Sequence, residues 1–406
     1  MSDIKKTKIA VINQPLANRG DEAAHKAFIR ILADRFPEKQ IDIIFINQNK
    51  ELIDSFVVNK KNIRYVNIKG AKHHIQFEAI SLLLRCPSLA LLHPVLRKYK
   101  NCLKQYDYII NAPGGICMGG FRNWDHIWQL YISKELNKKI FYWGRSIGPF
   151  TDNNYRNKIF KTYSIILLKY FSFLGLRDSK SVEIARSFGI NCTEMTDSAL
   201  MQNIEVSVPD HIQNEIDGKN YFVFVPNQLS WHYKYKTIEQ NKIDDYYVSI
   251  LEIIHKKYAD YKIVMLPQTY KSNINDFDYF IKLKKYSKIP KIIIVDENQN
   301  SDIQQQIIKN SVFVIGARYH SIIFAINNKK PFIALSYEHK MTGLLENLNL
   351  LNRSVNIQDI FYDQEKYDSS LLKIENLLDL VDFRHYDDFS IINRNAFKTL
   401  VSKMEH

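Results

Sequence analysis

The chain has 406 residues, of which 46% are hydrophobic and 24% are charged. This length is typical of two domains of ordinary size, and this balance excludes disordered, collagen-like and disulfide-scaffold proteins. The formal net charge of +13 favours an anionic partner such as nucleic acid, a phosphorylated metabolite or an acidic lipid surface, although biased codon usage in a chain rich in Lys, Ile and Asn explains it equally well.

The amino-terminal segment and the cysteines favour a cytoplasmic protein. MSDIKKTKIAVIN passes from charged residues directly into a strand-like run, with no apolar signal segment. The most apolar stretch, 79–96, contains charged residues and prolines, so it is not predicted to span a bilayer. The four cysteines form no CxxC pair, which predicts reduced thiols.

Apolar runs alternate with helical patterns through the first half of the chain. The first run, 8–12, leads into the loop NQPLANRG and a helix predicted to begin near Asp21. Further strands are predicted at 41–46, 64–68, 108–111, 139–143 and 173–176. Such alternation is typical of a parallel sheet wrapped by helices.

A polar stretch between about 201 and 220 is interpreted as a linker or a crossover, after which the alternation restarts. The second set of predicted strands is 221–225, 261–266, 291–295, 312–315 and 332–335, and the last segment, 357–406, is predicted to be helical. The sequence therefore predicts an α/β chain with domains at 1–205 and 206–375, followed by a helical tail at 376–406.

Ligands of open parallel sheets bind beyond the carboxyl ends of the strands, so the residues after each strand are the candidates. The first set is Asn18, Gly20 and Asp21, where Gly20 permits a tight turn and Asp21 can cap the next helix. The second is APGGICMGGF, where Gly114 and Gly115 permit a ligand to approach the backbone. Ordinary turn chemistry explains both sets as well.

Arg177 ends a buried-looking strand immediately before a helix start. Its guanidinium suits a carboxylate or a phosphate at the sheet edge. The alternative is an ion pair with a neighbouring carboxylate, either Asp178 or Asp197.

The strongest local signal is VFVIGARYHSIIFAINNKKPFIALSY, residues 312–337. Gly316 opens the turn after a strand, and Arg318 and His320 follow it before a helix. Arg318 is a fixed cation, whereas a histidine such as His320 can donate a proton near neutral pH. Lys340 follows the next strand and adds a third cation, unless it is only a solvated lysine at a helix start.

Other motifs are weaker. Asp276 and Asp278 resemble an Asp-x-Asp metal motif but are interpreted as charging a helix start. The pair His73–His74 is interpreted as lacking a carboxylate or thiol at metal spacing, so no metal site is predicted. There is no GxxxxGK[ST] loop and no GxSxG elbow, which argues against a P-loop NTPase and an α/β-hydrolase.

Five segments taken in order resemble the polysaccharide pyruvyl transferase family: NRGDEA, NAPGGICMGGF, YWGRSIGPF, GLRDSKSVEIARSFG with DSAL behind it, and IGARYHSIIFAINNKKPFIALSYEHKMTGL. The resemblance implies a GT-B-like fold, with two Rossmann-like domains facing across a cleft. The first domain is then expected on the acceptor side and the second on the phosphoenolpyruvate side. It implies transfer of pyruvate from phosphoenolpyruvate to a sugar of a surface polysaccharide or its lipid-linked precursor, as a ketal and without a cofactor.

The resemblance also implies roles for single residues. Arg318 is implied to bind phosphoenolpyruvate and His320 to act as general acid, while Arg177 and Lys340 hold the donor's anionic groups. Two positions depart from the family pattern. Pro113 stands in a usual triple glycine, and Arg145 stands where glutamine is common, so the acceptor contacts of these loops are open.

Two other functions remain as alternatives. The same fold serves GT-B glycosyltransferases that use a nucleotide sugar. A nucleic-acid-binding protein is disfavoured because no zinc finger, RNP-like or helix-turn-helix signature is present, and no nucleic-acid partner is expected. The segment 77–104 mixes leucines with Arg and Lys, and is either a packed helical subdomain or a peripheral contact with anionic lipid at the inner face of the membrane.

Overall fold

The protein is described here by a computed structural model covering residues 7–15, 18–216, 220–270, 275–379 and 388–405. The chain divides into two compact units. Unit 1 comprises Met1–Leu16, Ala24–Met201 and Ser390–His406, and unit 2 comprises Ala17–Ala23 and Gln202–Phe389. Two segments of the chain are assigned to a different unit from the one predicted from the sequence. Residues 17–23 belong to unit 2, and the last helix belongs to unit 1 rather than to a separate tail.

Unit 1 is built on a nine-stranded sheet. Its strands are β1 (Lys8–Ile12), β2 (Gln40–Ile46), β3 (Ile63–Ile68), β4 (Tyr108–Asn111), β5 (Gly114–Gly119), β6 (Phe121–Arg122), β7 (Lys139–Ile147), β8 (Phe173–Leu176) and β9 (Thr193–Glu194). The order is β3-β2-β1-β4-β7-β5-β6, and β8 and β9 extend the sheet from β7. The first half of β7 pairs with β4 and the second half with β5. Apart from the inserted β5 and β6, this is a doubly wound sheet.

Helices of unit 1 connect these strands, and α1 is shared with unit 2. They are α1 (Arg19–Arg35), α2 (Lys50–Ser55), α3 (His74–Leu83), α4 (Pro94–Leu103), α5 (Trp124–Glu135), α6 (Tyr155–Tyr170) and α7 (Ser179–Ser187), with 3₁₀ turns at Pro87–Leu92 and Ser198–Met201. Helices on both sides of a parallel sheet bury both faces of its strands, which explains continuous apolar runs such as that of β2.

Unit 2 contains six parallel strands in the order β12-β11-β10-β13-β14-β15. The strands are β10 (Tyr221–Val225), β11 (Lys262–Met265), β12 (Ile292–Ile294), β13 (Phe313–Gly316), β14 (Phe332–Ser336) and β15 (Ser354–Asn356). Counted from β10, this is the 3-2-1-4-5-6 order of dinucleotide-binding sheets. The helices are α8 (Asp210–Ile216), α9 (Gln240–Lys257), α10 (Asp276–Ser287), α11 (Ser301–Asn310), α12 (Tyr319–Asn327), α13 (His339–Asn347) and α14 (Gln364–Leu378), with 3₁₀ turns at Leu351–Arg353 and Ile360–Tyr362.

The last helix, α15 (Ser390–Glu405), completes unit 1. Its Ala396, Leu400 and Met404 are buried in the same apolar cluster as Phe28 and Trp143. The Asn393 side chain accepts a hydrogen bond from the backbone N of Thr196 and donates one to the backbone O of Asp197, both at 2.9 Å. The helix is therefore part of the unit 1 core.

The prediction of two α/β units with parallel sheets is confirmed, and every predicted apolar run forms a strand. One local prediction was wrong. The glycine-rich segment after β4 forms β5 rather than a loop, because it pairs with β7. The stretch predicted as a linker or a crossover contains α8, and α1 begins at Arg19, close to its predicted start near Asp21. Within the described residues, no helix has the length and apolarity needed to cross a membrane.

Three histidines are buried in unit 1, and two of them, His25 and His126, have a lowered pKa. Burial, followed by Lys26 and Arg145, lowers the pKa of His25 from 6.5 to about 3. Burial and then Arg145 lower the pKa of His126 well below its ordinary value. Both imidazoles are therefore neutral in the folded protein at pH values where an unfolded chain would protonate them.

We expect unit 1 to lose stability as the pH falls from 6.5 towards 3, since the unfolded chain binds protons there that folded His25 does not. The contribution of His25 approaches about 1.4 kcal/mol per pH unit within this window. Thermal midpoints at pH 7.5 and pH 5.5 should differ less in His25→Gln than in the unaltered chain. Replacing the exposed His211 in the same way is the control, and an equal acid sensitivity of the two variants would contradict the assignment.

Candidate active site

The order of the unit 2 strands reverses between β10 and β13. In doubly wound sheets this switch point is where ligands bind, beyond the carboxyl ends of the strands. β13 ends at Gly316, Arg318 is the N-cap residue of α12, and His320 lies in the first turn of that helix. A Cβ at Gly316 would lie 2.0 Å from Ser321 Oγ, so only glycine lets the helix begin this close to the strand. Sequence reasoning thus placed Gly316, Arg318 and His320 at the correct edge.

Arg318 is held by a carboxylate that the sequence did not reveal as its partner. Its Nη2 forms an ion pair with Asp276 Oδ1, and the two side chains are 12% and 1% exposed. Asp276 Oδ2 also accepts hydrogen bonds from the backbone N of Gln268 at 3.0 Å and of Thr269 at 2.9 Å. Burial alone would lower the pKa of Arg318, but the Asp276 charge outweighs it and the pKa is raised. Arg318 is therefore a fixed cation with a fixed orientation.

His320 is buried and lies against the first turn of α1. A Cβ built on Gly20 would lie 1.8 Å from Cγ and 1.9 Å from Nδ1 of His320. On its other side the imidazole meets the Tyr319 ring edge-on, with centroids 5.1 Å apart. A side chain at position 20 would therefore displace this ring. The local sequence indicated only a tight turn at Gly20 and not this contact.

The turn that carries Gly20 is attached to unit 2 by its backbone. Asn18 forms an antiparallel bridge with Thr269, and the backbone N of Arg19 donates to Gln268 O at 2.9 Å. Asn18 Oδ1 accepts from the backbone N of Gly20 at 2.8 Å and of Asp21 at 3.1 Å. The expectation that Asp21 caps the helix was wrong, because Asn18 is the cap and Asp21 lies in the first turn, where its charge complements the helix dipole.

Side chains of α1 reinforce this attachment within unit 2. Arg19 is buried, pairs with Glu22 at 2.7 Å, and lies over the Tyr270 ring at 3.8 Å from its centroid. Glu22 Oε1 accepts from both the backbone N and the hydroxyl of Ser301 at 2.9 Å. The NRGDE segment is thus held at the same sheet edge as Arg318 and His320.

Lys340 lies in the first turn of α13, after β14. Its Nζ is 4.4 Å from the centroid of the Tyr319 ring, a cation–π contact. Since Tyr319 also contacts His320, the Tyr319 ring links the side chains of Lys340 and His320. The structure therefore brings Lys340 to the same end of the unit 2 sheet.

Arg177 follows β8 in unit 1, and its side chain is 2% exposed. Its Nη1 forms an ion pair with Asp197 at 2.7 Å, and its Nε lies 3.3 Å from Ser146 Oγ. Asp178 instead caps α7 by accepting from the backbone N of Ser181 at 2.8 Å. Of the two pairings considered from the sequence, the one with Asp197 is present.

Gly114 and Gly115 lie in unit 1 around the buried Arg145. Gly114 has a φ of +151°, and a Cβ there would lie 3.3 Å from Cζ of Arg145, whereas one at Gly115 would meet nothing within 4 Å. Arg145 Nε donates to Ala112 O at 2.7 Å and Nη2 to Asn13 O at 2.5 Å. Its Nη1 lies 2.8 Å from Cys117 Sγ. The guanidinium of Arg145 thus lies at the switch point of unit 1, between β1 and β4, where its hydrogen bonds go to the residues that follow these two strands.

The interpretation that the pair His73–His74 lacks a carboxylate at metal spacing was wrong. His74 does have a carboxylate at metal spacing, because Glu78 follows one helical turn later on α3, and Asp125 of α5 lies beside them. Nor did local sequence reveal the roles of Asp276 or Arg145. The available signal for Asp276 was an acidic residue at a helix start a few residues after the strand-end segment 266–270.

The fold places the chain in the class of two-domain Rossmann-like proteins with a GT-B-like architecture. Uridine diphosphate N-acetylglucosamine 2-epimerase from Neisseria meningitidis, bound to UDP-GlcNAc, matches with a TM-score of 0.61 and 12% identity over 98% of this chain and 99% of that one. The corresponding enzyme from Methanocaldococcus jannaschii matches with a TM-score of 0.57 and 14% identity over 95% of each chain. At these identities the likeness establishes the fold alone.

The chain belongs to the polysaccharide pyruvyl transferase family, whose model matches residues 18–339. It is also 22% identical over 410 residues to the amylovoran biosynthesis protein AmsJ of Erwinia amylovora, covering 91% of this chain and 92% of that protein. The family match begins at Asn18 and includes Arg318 and His320. The family resemblance read from the five motifs is therefore confirmed.

We expect Gly20→Ala to lower the thermal midpoint, because the new methyl group would overlap the imidazole of His320. Overpacking of this kind costs about 1–3 kcal/mol. In the double variant Gly20→Ala with His320→Ala the overlap is removed, so the combined loss should be smaller than the sum of the single losses.

The matched control is Gly343→Ala, since a Cβ at that glycine of α13 meets nothing within 4 Å. Its midpoint should be unchanged or raised, as alanine favours a helix. Strictly additive losses in the double variant would show that Gly20 and His320 do not contact each other.

Proposed function

We propose that the protein transfers pyruvate from phosphoenolpyruvate to two hydroxyl groups of a sugar in a polysaccharide or its lipid-linked precursor, forming a ketal. The observation that carries the proposal is the presence of Gly20, Arg318, His320 and Lys340 at one end of the unit 2 sheet, the first three of them within the residues that the family model matches. The relative named for amylovoran biosynthesis supports a role in making exopolysaccharide.

The donor carries a carboxylate and a phosphate close together, and the unit 2 edge suits both. Arg318 Nε is buried and has no hydrogen-bond partner among the described residues, so an anionic oxygen of the donor would satisfy it. Asp276 balances the charge of Arg318, which leaves Lys340 and the amino-terminal ends of α12 and α13 to attract the second anionic group. A role of Arg177 in donor binding stays a prediction.

His320 is the proposed general acid. It protonates the methylene carbon of phosphoenolpyruvate, which gives an oxocarbenium-like centre at the carbon bearing the carboxylate and phosphate. One sugar hydroxyl adds to that carbon and its proton returns to the imidazole. The C–O bond to phosphate then breaks, and a second hydroxyl adds to the same carbon while its proton passes to the departing phosphate, which leaves as inorganic phosphate. Every step is a proton transfer or a substitution at carbon, so the proposed reaction needs no cofactor.

We expect His320→Ala to reduce transfer by about 10²–10⁴-fold, the usual contribution of a general acid, while phosphoenolpyruvate still binds. The assay supplies lipid-linked sugar fragments and phosphoenolpyruvate, and it measures phosphate release together with the mass gain of one pyruvate ketal. Donor affinity is measured separately by calorimetry. His211→Ala, an exposed histidine of the same unit, is the control and should retain full activity.

Undiminished turnover by His320→Ala would exclude this histidine as the acid. The same assay tests the rival function, a glycosyltransferase that uses a nucleotide sugar. A thermal shift with UDP- or GDP-sugars but not with phosphoenolpyruvate, followed by sugar transfer, would replace the present proposal with that rival.

A lipid-linked acceptor would require the protein to reach a membrane, and unit 1 has a surface suited to this. The apolar-basic surface comprises exposed apolar side chains on α3 and the following segment, and exposed cations beside them: Ile75, Phe77, Ile80, Leu84, Leu89, Leu92, Arg85, Arg97 and Lys98. Leu84 and Leu92 are 63% and 72% exposed. Residues 69–104 contain seven Lys or Arg and one acidic residue, the buried Glu78. We propose that this surface binds anionic lipid at the inner face of the membrane.

The same segment is also packed, since Leu82, Val95, Leu96, Tyr99 and Leu103 are buried in the unit 1 core. The two sequence-based interpretations of this segment are therefore compatible. Packing from one side fixes the segment, while its opposite side presents apolar and basic groups together, which is the pattern of an interfacial element.

We expect the protein to float with vesicles containing phosphatidylglycerol and less with purely zwitterionic vesicles, because the exposed charges of the surface are positive. The double variant Leu84→Asp with Leu92→Asp should lose this binding. Leu372→Asp, which alters a leucine of unit 2 that is 59% exposed, is the control and should float normally. Equal flotation of both variants would exclude this surface.

A further inference from the structure

A second cluster of chemically active side chains lies in unit 1, where α3 meets α5. His74 and Glu78 are one turn apart on α3, and Asp125 lies in the first turn of α5. One ligand atom from each of the three lies within 4.8 Å of the other two. We propose that His74, Glu78 and Asp125 bind a divalent transition-metal cation of the zinc type. The proposal is independent of the transfer reaction.

Glu78 is the strongest indication of a missing cation. It is fully buried, and neither of its carboxylate oxygens has a hydrogen-bond partner among the described residues. Two carboxyl groups so close together, one of them without water, require either a shared proton or a bound cation between them.

The neighbours of the cluster favour the cation. Among the described residues, neither Glu78 nor Asp125 forms an ion pair with Lys or Arg, so no side-chain cation neutralises them. His74 offers an imidazole nitrogen beside these two carboxylates, within 4.8 Å of a ligand atom of each.

An outer layer of hydrogen bonds orients Asp125. Its Oδ1 accepts from Gln129 Nε2 at 2.7 Å, and Gln129 Oε1 accepts from the Tyr99 hydroxyl at 3.0 Å. Metal-binding carboxylates are commonly oriented in this way by buried partners. His74 and Asp125 are only half-buried, so a cation can enter from solvent.

The ligand types indicate which cation fits. An imidazole nitrogen with two carboxylates suits zinc and similar transition metals, whereas magnesium and calcium prefer ligand sets made of oxygen alone. Three protein ligands leave a fourth position for water. A bound cation would join α3, which carries Ile75, Phe77 and Ile80 of the apolar-basic surface, to α5.

The test uses the full chain after treatment with a chelator. Calorimetric titration with zinc chloride should show one equivalent bound per chain, with a rise in thermal midpoint, and Mg²⁺ and Ca²⁺ should bind much more weakly. Cobalt substitution should give the visible absorption of a coordinated ion. Glu78→Gln and Asp125→Asn should each weaken zinc binding by at least about tenfold, since even outer-shell changes commonly have that effect.

His73→Asn is the matched control, because it removes an adjacent exposed imidazole and asparagine tolerates the left-handed φ of +69° found there. It should keep full affinity. His74→Ala provides a further ligand deletion in case Glu78→Gln fails to fold. Absence of saturable zinc binding, or binding that survives the ligand deletions, would overturn the proposal. A Glu78→Gln chain that is more stable without metal and indifferent to zinc would indicate a shared proton instead.

Discussion

The buried ion pair between Arg318 and Asp276 determines how the carboxyl edge of the second sheet is assembled. Asp276 joins three elements, since it begins α10, accepts two backbone hydrogen bonds from the segment after β11, and pairs with the residue that begins α12. Removing one partner of a buried pair leaves an uncompensated charge, which typically costs about 3–5 kcal/mol. The segment after β11 also binds the first turn of α1, so the position of Gly20 against His320 depends on the same pair.

The two switch points use buried arginines differently. In unit 2 the guanidinium of Arg318 is balanced by a carboxylate and keeps a buried N–H without a partner among the described residues. In unit 1 the guanidinium of Arg145 donates to backbone carbonyls of the strand-end segments, and among the described residues it forms no ion pair. The neutral state of His25 and His126 follows partly from that unbalanced charge. In our proposal the first arginine recognises the donor, whereas the second holds the strand ends together.

Much of the fold could be predicted because the strands of a doubly wound sheet are buried on both faces and are therefore continuous apolar runs. β5 was missed because its glycines signal turns, and only pairing with β7 makes them a strand. The positions of Arg318 and His320 after a strand could be predicted because the ends of apolar runs can be recognised in the sequence. Their partners could not, since Asp276 lies 42 residues from Arg318, and Gly20 approaches His320 only in the folded chain. Likewise, Asp125 and Glu78 are separated along the chain and meet only where α3 packs on α5.

The placement of α15 has a consequence for biosynthesis. Its Ala396, Leu400, Val401 and Met404 are buried beside residues of β1 and β2. The core of unit 1 therefore cannot be completed until residues near 405 have left the ribosome, although most of that unit is synthesised first. Unit 2, which ends at Phe389, has all its residues available earlier. The nascent chain can thus finish its second half first, while the exposed apolar side of the first sheet waits for its last helix and is open to chaperones.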